Sequence, residues 1–511
     1  MKILRITEHS FAPPLLLASV LLVAGTDAIG QSLPSLPLSG RPAGNGSVTS
    51  TQTPIPGTTT SVDTLNPAIL VQAPYTGSAN SMNKTPFSGK LSLHEAIDRG
   101  IAYNLGAVGL SQAVRQAQGQ SRVARSALLP NLNSELEEAV EQVDLKVLGV
   151  RFNSPVPGLA IPSVVGPFNY FDLRARLTQR VADLTAWNSY RASSETVRAN
   201  EFYSKDARDL VVLAVGGAYL QVIAAEARVQ SAQAQLETAN ALLDQTSQRR
   251  AVGLTAQIDV NRSQVQALTQ QQRLVSVKND LAKQKINLTR LIGLPPSDTF
   301  ELSDEIGFTA PPAINLEDAV KQAVDLRADL KAARAQVCAA EHGKAAARAE
   351  RLPSIAIRGD YGVIGTNPSQ SHGTFSAVGT LSIPLWQGGR TEGDIEQADA
   401  VLDERKAEAE DTFSHVESDV RNAWLDLEAA TTQIGVAEKN RAVTQENLQL
   451  TKQRYEIGVT DNVEVVQAQD AVASADLDYI NSLFAHNVAK LSLARAMGVA
   501  ADRFGDYLKA K

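Results

Sequence analysis

The chain repeats itself, and that repeat restricts its fold more than any other property of its 511 residues. Leu93, Ala96, Val114, Ala117, Arg125, Leu129 and Pro130 recur without a gap 223 positions later as Leu316, Ala319, Val337, Ala340, Arg348, Leu352 and Pro353. A second block, Arg249, Gly253, Thr255, Val260, Leu288, Arg290 and Gly293, recurs 205 positions later as Arg454, Gly458, Thr460, Val465, Leu493, Arg495 and Gly498. Two copies of one structural unit therefore share one polypeptide. The offset falls by 18 between Pro130 and Gly253, so the first copy holds an insertion, and repeats accept insertions in loops. We delimit a first repeat at 91–293, a connector at 294–313, a second repeat at 314–498 and a short tail at 499–511.

Proline punctuates the repeats. None occurs between Pro167 and Pro295 or after Pro384, so helices can run long in both intervals. Trp187 to Ala251 has the Ala, Gln, Leu and Glu composition of one helix, which at 1.5 Å per residue is about 100 Å long. Gly253 ends it and a second helix follows over Ala256 to Ile292. The equivalent pair is Arg390 to Ile457 and Asp461 to Met497, separated by Gly458. Apolar positions such as Leu236, Leu243 and Leu448 stand among Gln, Ala and Thr, and such narrow stripes suit coiled-coil packing.

The segments ahead of these helices have a period of two. Ile355, Ile357, Tyr361 and Val363 alternate with Ala356, Arg358, Asp360 and Gly362, and a partner run from Phe375 to Leu385 alternates likewise. In the first copy Phe171, Leu173, Ala175 and Leu177 alternate with Asp172, Arg174, Arg176 and Thr178, after a less regular strand beginning at Asn131. The inserted residues fall between these two strands, around 148–167, as a longer hairpin loop. Four strands of outer-membrane length cannot close a barrel alone, and a sheet in a bilayer tolerates no free edge.

The amino end, with Lys2 and Arg5, the apolar run Leu15 to Ala24 and small residues near Ala28, reads as a signal peptide over 1–28. Its apolar run is too short to span a bilayer, which leaves the mature chain without a transmembrane helix. The one cysteine, Cys338, cannot make an internal disulfide, lies far from any lipid-attachment position, and is expected to be a small buried residue on a helix. Residues 29–90 are rich in Ser, Thr, Pro and Gly and are expected to form a flexible linker. A net charge of -7 without a clustered basic patch argues against nucleic acid as a partner. The six histidines show no metal spacing, and neither a phosphate loop nor a nucleophile constellation is visible, so the sequence supports no enzyme, cofactor or metal.

The order helix, strand hairpin, very long helix, glycine turn and shorter helix, performed twice over 91–498, resembles the TolC-like outer-membrane efflux proteins. The segments that carry the resemblance are RSALLPNL and RAERLPSI, LSIPLWQGG, and the turns RRAVGLTAQIDV and RYEIGVTDNVEV. It implies an α+β membrane protein: a homotrimer whose protomers each give four strands to a 12-stranded outer-membrane β-barrel and their helices to a periplasmic coiled-coil tunnel. It also implies a passive exit duct in a tripartite efflux or type I secretion system, with a periplasmic adaptor, an inner-membrane pump and outer-membrane lipid as partners. A periplasmic adaptor or structural coiled-coil protein is the alternative, although adaptors usually carry one helical hairpin and this chain has two.

The resemblance further implies a constricted periplasmic entrance at the turns Gly253 and Gly458. There Tyr455 would link to Asp259 as a closure latch, Glu464 would form an acidic ring with Asp461 one turn away, and Arg249 and Arg454 would be adaptor docking candidates. Other readings of the same residues stay open. Asp461 followed by Glu464 is also a helix-capping pattern, and Arg249 and Arg454 also suit the negative end of a helix dipole. Gln467 and Thr460 stand where some relatives carry a second acid and an arginine. A charge-assisted hydrogen bond contributes about 1.5–3 kcal/mol at best, so three shielded copies approach the roughly 5.5 kcal/mol that inverts a 1:99 population, whereas exposure lowers each and leaves exposed latches short of it. Coiled-coil packing is expected to share the task of closure.

Overall fold

The protein is described by a computed structural model over residues 47–55, 64–79, 87, 89–147, 149, 162–304, 307–310 and 313–508; the signal peptide assigned to 1–28 lies outside the described residues. Each repeat contains the same six elements. The first has α1 (Leu93–Tyr103), α2 (Leu105–Ser126), β4 (Asn131–Asp144), β5 (Val164–Ala182), α3 (Leu184–Ala251) and α4 (Gln257–Ile292). The second has α5 (Leu316–Leu326), α6 (Ala328–Ala349), β7 (Ser354–Gly365), β8 (His372–Ser382), α7 (Arg390–Glu456) and α8 (Asn462–Ala496). Ahead of them come β1 (Val48–Ile55), β2 (Thr64–Val71) and β3 (Lys90–Leu91), between them β6 (Glu301–Leu302), and after them α9 (Ala500–Tyr507).

Side chains mark where the helices begin. Ser92 accepts from Glu95 N at 3.1 Å, Asp183 from Ala186 N at 3.0 Å and Asn315 from Asp318 N at 2.7 Å, each relieving an amide that the helix leaves unpaired. The long helices α3 and α7 have 68 and 67 residues, so almost none of the 18-residue offset is absorbed in them. It falls in the hairpin, whose strands have 14 and 19 residues in the first copy against 12 and 11 in the second. The insertion was expected as loop around 148–167. Instead Val164 to Pro167 are already strand, the hairpin pairing reaching Val165 opposite Val143 and Val164 opposite Asp144. Positions 148 and 150–161 lie outside the described residues.

The sheet runs antiparallel in the order β4-β5-β7-β8, so β4 and β8 are edges and the two repeats meet at β5 and β7. Beyond it α2 and then α4 accompany α3, while α6 and then α8 accompany α7. The buried face of α7, Val416, Val420, Ala423, Leu427, Ala430, Ile434 and Ala437, alternates steps of four and three, the seam of a coiled coil. On α3 the buried Ala225, Ala232, Ala239 and Thr246 stand seven apart, and these small residues let neighbouring helices approach closely. Polar ties cross the seam: Arg441 Nε reaches Asp476 at 2.7 Å and Arg228 donates to Asn481 at 2.7 Å.

The main core lies midway along the long helices, where Val211, Val212, Val215 and Tyr219 of α3 meet Ile97, Leu288, Ile292, Leu330, Leu491 and Met497. Two segments outside the repeats join it, one of them expected to be a flexible linker. Within the 29–90 stretch, β1 and β2 form an antiparallel hairpin that packs on α8 and α3, and Tyr75 is 1% exposed. Its composition denies it a core of its own, so it borrows one. Gly106 and Gly217 make room, since a Cβ on either would overlap Tyr75 or Ile69. The tail is helical as well: α9 lies on α8 and α3, Tyr507 and Leu508 are buried, and Ala501 N donates to Asp209 at 2.7 Å. Cys338, expected to be buried, is exposed, the covered positions of α6 going to the adjacent Ala339 and Ala340.

Near this core Arg495 pairs with Asp206 at 2.7 Å, while Arg327 binds Asp329 at 2.5 Å and Asp419 at 3.0 Å. Burial pushes the Asp206 carboxyl up to about 6 against the pull of Arg495. Burial also acts to raise Asp329, but its hydrogen bonds from Arg327 prevail and hold it down at about 2. Among the described residues α3 is the one helix long and apolar enough to cross a bilayer, but most of its apolar stretch is buried in this core.

Candidate functional site at the paired glycine turns

Both long helices end in the same way. Gly253 at φ +79° and Gly458 at φ +77° adopt the left-handed conformation that glycine enters without strain. Leu254 N then returns to Arg249 O at 2.8 Å and Val459 N to Arg454 O at 2.9 Å, while Gly253 N and Gly458 N bond Arg250 O and Tyr455 O. This double closure satisfies carbonyls that the helix end leaves open. Space around the two glycines is free, so the requirement is one of backbone conformation alone.

The two turns meet through Arg249. Its guanidinium donates to Tyr455 O at 3.0 Å and Glu456 O at 2.8 Å, and it lies 4.5 Å from the centre of the Tyr455 ring. A cation on the last turn of α7 complements the helix dipole and stacks on an aromatic face at once. Tyr455 is 5% exposed and packs with Leu242 and Val465. Burial pushes its phenol up, Arg249 pulls it down, and Asp259 adds to the rise.

The structure does not join Tyr455 to Asp259. The Tyr455 hydroxyl is buried without a hydrogen-bond partner. Asp259 is held on its own helix, accepting from Thr255 Oγ1 at 3.0 Å and facing Arg262 at 3.4 Å. Asp461 is the N-cap of α8 and accepts from Val463 N at 3.0 Å and Glu464 N at 3.3 Å. Glu464, half exposed, turns to Arg454 at 3.6 Å. Asp259 and Glu464 occupy equivalent repeat positions, yet the shorter carboxylate reaches its threonine and the longer one does not. Thr460 Oγ1 is left buried and unpartnered where Thr255 Oγ1 is bonded.

Two contributors escaped sequence reasoning. Asn462, 1% exposed, donates to Asp259 O at 3.0 Å and Ser263 Oγ at 2.9 Å, bridging the first turns of α8 and α4. The clamp of Arg249 on Tyr455 was also missed. One signal was available: Tyr455 departs from the repeat, its equivalent being Arg250. Among the described residues no group of His, Cys, Asp and Glu could hold a metal ion.

Long paired helices, a four-stranded sheet with exposed alternating faces and two turns meeting at the far end define a subunit of a membrane-embedded duct. The chain belongs to the outer membrane efflux protein family, whose profile matches residues 110–294 and 319–499 and so covers both repeats. It is 24% identical to the outer membrane protein TolC of Escherichia coli over 73% of this chain and 76% of that one. It is 27% identical to the outer membrane protein OprJ of Pseudomonas aeruginosa over 75% and 79% of the two chains. The solved structure of the outer membrane protein VceC of Vibrio cholerae superposes with a TM-score of 0.68 at 19% identity, covering 80% of this chain and 96% of that one. The chain is thus an outer-membrane protein of efflux, and the adaptor alternative gives way to a match that spans both repeats.

Proposed function

We propose that three copies close a 12-stranded barrel in the outer membrane and that their helices form a passive duct through the periplasm. A periplasmic adaptor and an inner-membrane pump would deliver the substrate. One observation carries this reading: the four-stranded sheet is open at both β4 and β8, and an outer-membrane sheet has to be closed. Exposed Leu136, Val140, Tyr361 and Phe375 would face lipid.

At the far end the clamp of Arg249 on Tyr455 would hold the entrance shut in place of a bond from Tyr455 to Asp259. Glu464, with Asp461 beside it, would ring the entrance three times over and favour cations. Arg454, 54% exposed, would be freer than Arg249 to meet the adaptor, because Arg249 is engaged inside the protomer. The test is to purify the chain from outer-membrane fractions in detergent, measure its mass and record conductance in planar bilayers. A monomeric, non-conducting protein overturns the reading.

A further inference from the structure

The internal repeat fixes how the sheet edges meet between copies. This inference rests on the trimeric barrel proposed above. In the first hairpin Asn131 lies opposite Thr178, and in the second Ser354, the repeat equivalent of Asn131, lies opposite Ser382. Thr178 and Ser382 are therefore equivalent, as are Leu177 and Leu381. Inside the protomer the second strand of repeat one pairs with the first strand of repeat two, with Leu177 opposite Gly359 and Arg174 opposite Gly362. Between copies the second strand of repeat two has to meet the first strand of repeat one, which is the same junction in repeat terms.

We infer that β8 of one copy pairs antiparallel with β4 of the next in this inherited register, Leu381 opposite Leu136 and Val378 opposite Ala139. The remaining pairs follow. Ser382 meets Glu135, Thr380 meets Glu137, Gly379 meets Glu138, Ala377 meets Val140 and Ser376 meets Glu141.

Side-chain chemistry, which took no part in deriving that register, agrees with it. On one face Leu381 meets Leu136 and Ala377 meets Val140, and all of them are exposed or partly exposed in the single chain. Glu138 interrupts this apolar face, opposite Gly379, where there is no side chain to oppose it. On the other face the hydroxyls of Ser376, Thr380 and Ser382 stand opposite the carboxylates of Glu141, Glu137 and Glu135, and the apolar Val378 meets the apolar Ala139. A slip of two residues sets Val378 against Glu137 or Glu141 and a hydroxyl against Ala139. A slip of one exchanges the two faces, placing leucine toward the lumen and glutamate toward lipid. The irregularities in the described pairings, at 142 and 181, do not interrupt these pairs.

The test is disulfide closure between copies in the full chain, with Cys338→Ala removing the native thiol. A disulfide needs Cβ atoms about 4 Å apart, which directly opposed residues approach and diagonal ones, at about 7 Å, do not. Successive pairs alternate between wide and close, so two adjacent pairs are needed. Leu381→Cys with Leu136→Cys, and Thr380→Cys with Glu137→Cys, are expected to convert the monomer band into a covalent trimer on a non-reducing denaturing gel in at least one case. The slipped pairs, Leu381→Cys with Ser134→Cys or with Glu138→Cys, are expected to lose that band. Trimers linked through a slipped pair, or native trimers linked through neither in-register pair, overturn the register and leave the barrel standing. A wild-type chain that is monomeric in detergent overturns both. Should one in-register variant fail to reach the membrane, a pair of the same face and spacing takes its place, Ala377→Cys with Val140→Cys for the first or Val378→Cys with Ala139→Cys for the second.

Discussion

Arg249 of α3 lies with its guanidinium 4.5 Å from the centre of the Tyr455 ring while donating to the Tyr455 carbonyl at 3.0 Å. One side chain from the first repeat thus holds both the ring and the main chain of the last turn of the second. The cation on the ring contributes about 0.5–2 kcal/mol and the cation at the helix end about 0.3–1 kcal/mol. Summed over three copies, the upper end of that range reaches the roughly 5.5 kcal/mol needed to invert a closed population. Arg249→Ala is expected to raise the mean single-channel conductance and Arg249→Lys to raise it less, because lysine keeps the charge but not the planar fork. Unchanged conductance in Arg249→Ala removes the clamp from the gating account.

Tyr455→Phe separates this clamp from the tyrosine to aspartate latch. The Tyr455 hydroxyl is buried and unbonded, so its removal loses no hydrogen bond and is expected to leave conductance unchanged, with stability equal or slightly higher. A wide-open channel in Tyr455→Phe points instead to a bond with Asp259 in the assembled state.

The neighbouring acids divide into one with a structural role and one without. Asp461→Ala removes the N-cap of α8 and is expected to cost about 1 kcal/mol, read as a lower melting temperature. Glu464→Gln breaks an exposed pair with Arg454 and is expected to cost less than about 1 kcal/mol. Its effect should appear in selectivity, as a reversal potential shifted away from cation preference. A Glu464→Gln channel with unaltered selectivity excludes the acidic ring.

Asp206 gives a pH dependence of definite sign. Its carboxyl is raised to about 6 in the folded protein, so between about pH 4 and 6 the native state holds a proton that the unfolded chain has released. This contribution to stability is fully present below about pH 4 and is lost as the pH rises through about 6, by roughly 3 kcal/mol. Melting curves of the wild type relative to Asp206→Asn should therefore show the wild type losing ground across that window. A constant difference between the two proteins refutes the shift. Asp329, held at about 2, works in the opposite sense and only under stronger acid.

Most of the fold was legible in the residues because it depends on local signals. The helix expected from Trp187 to Ala251 spans Leu184–Ala251, and the one expected from Arg390 to Ile457 ends at Glu456. Proline-free intervals, glycine turns and strict alternation act over a few residues and need no partner. The misses share one cause. The strands β1 and β2 and the helix α9 lack the apolar residues for a core of their own, and nothing in their composition shows that they lie on the core of α3 and α8. Cys338 was misplaced because, on an alanine-rich helix, the residue types do not reveal which neighbour takes the covered side.

The sequence by itself determined the duplication, the period of each element and the positions of the turns, since hydrophobic spacing and backbone preference are properties of short segments. It also placed Arg249, Tyr455, Asp259, Asp461 and Glu464 at a common end. The partners of these side chains were decided only by the tertiary structure. Pairing depends on which helix ends meet across some 200 residues of sequence: Arg249 is drawn to Tyr455 and Glu456, and the equivalent Arg454 is left to face Glu464.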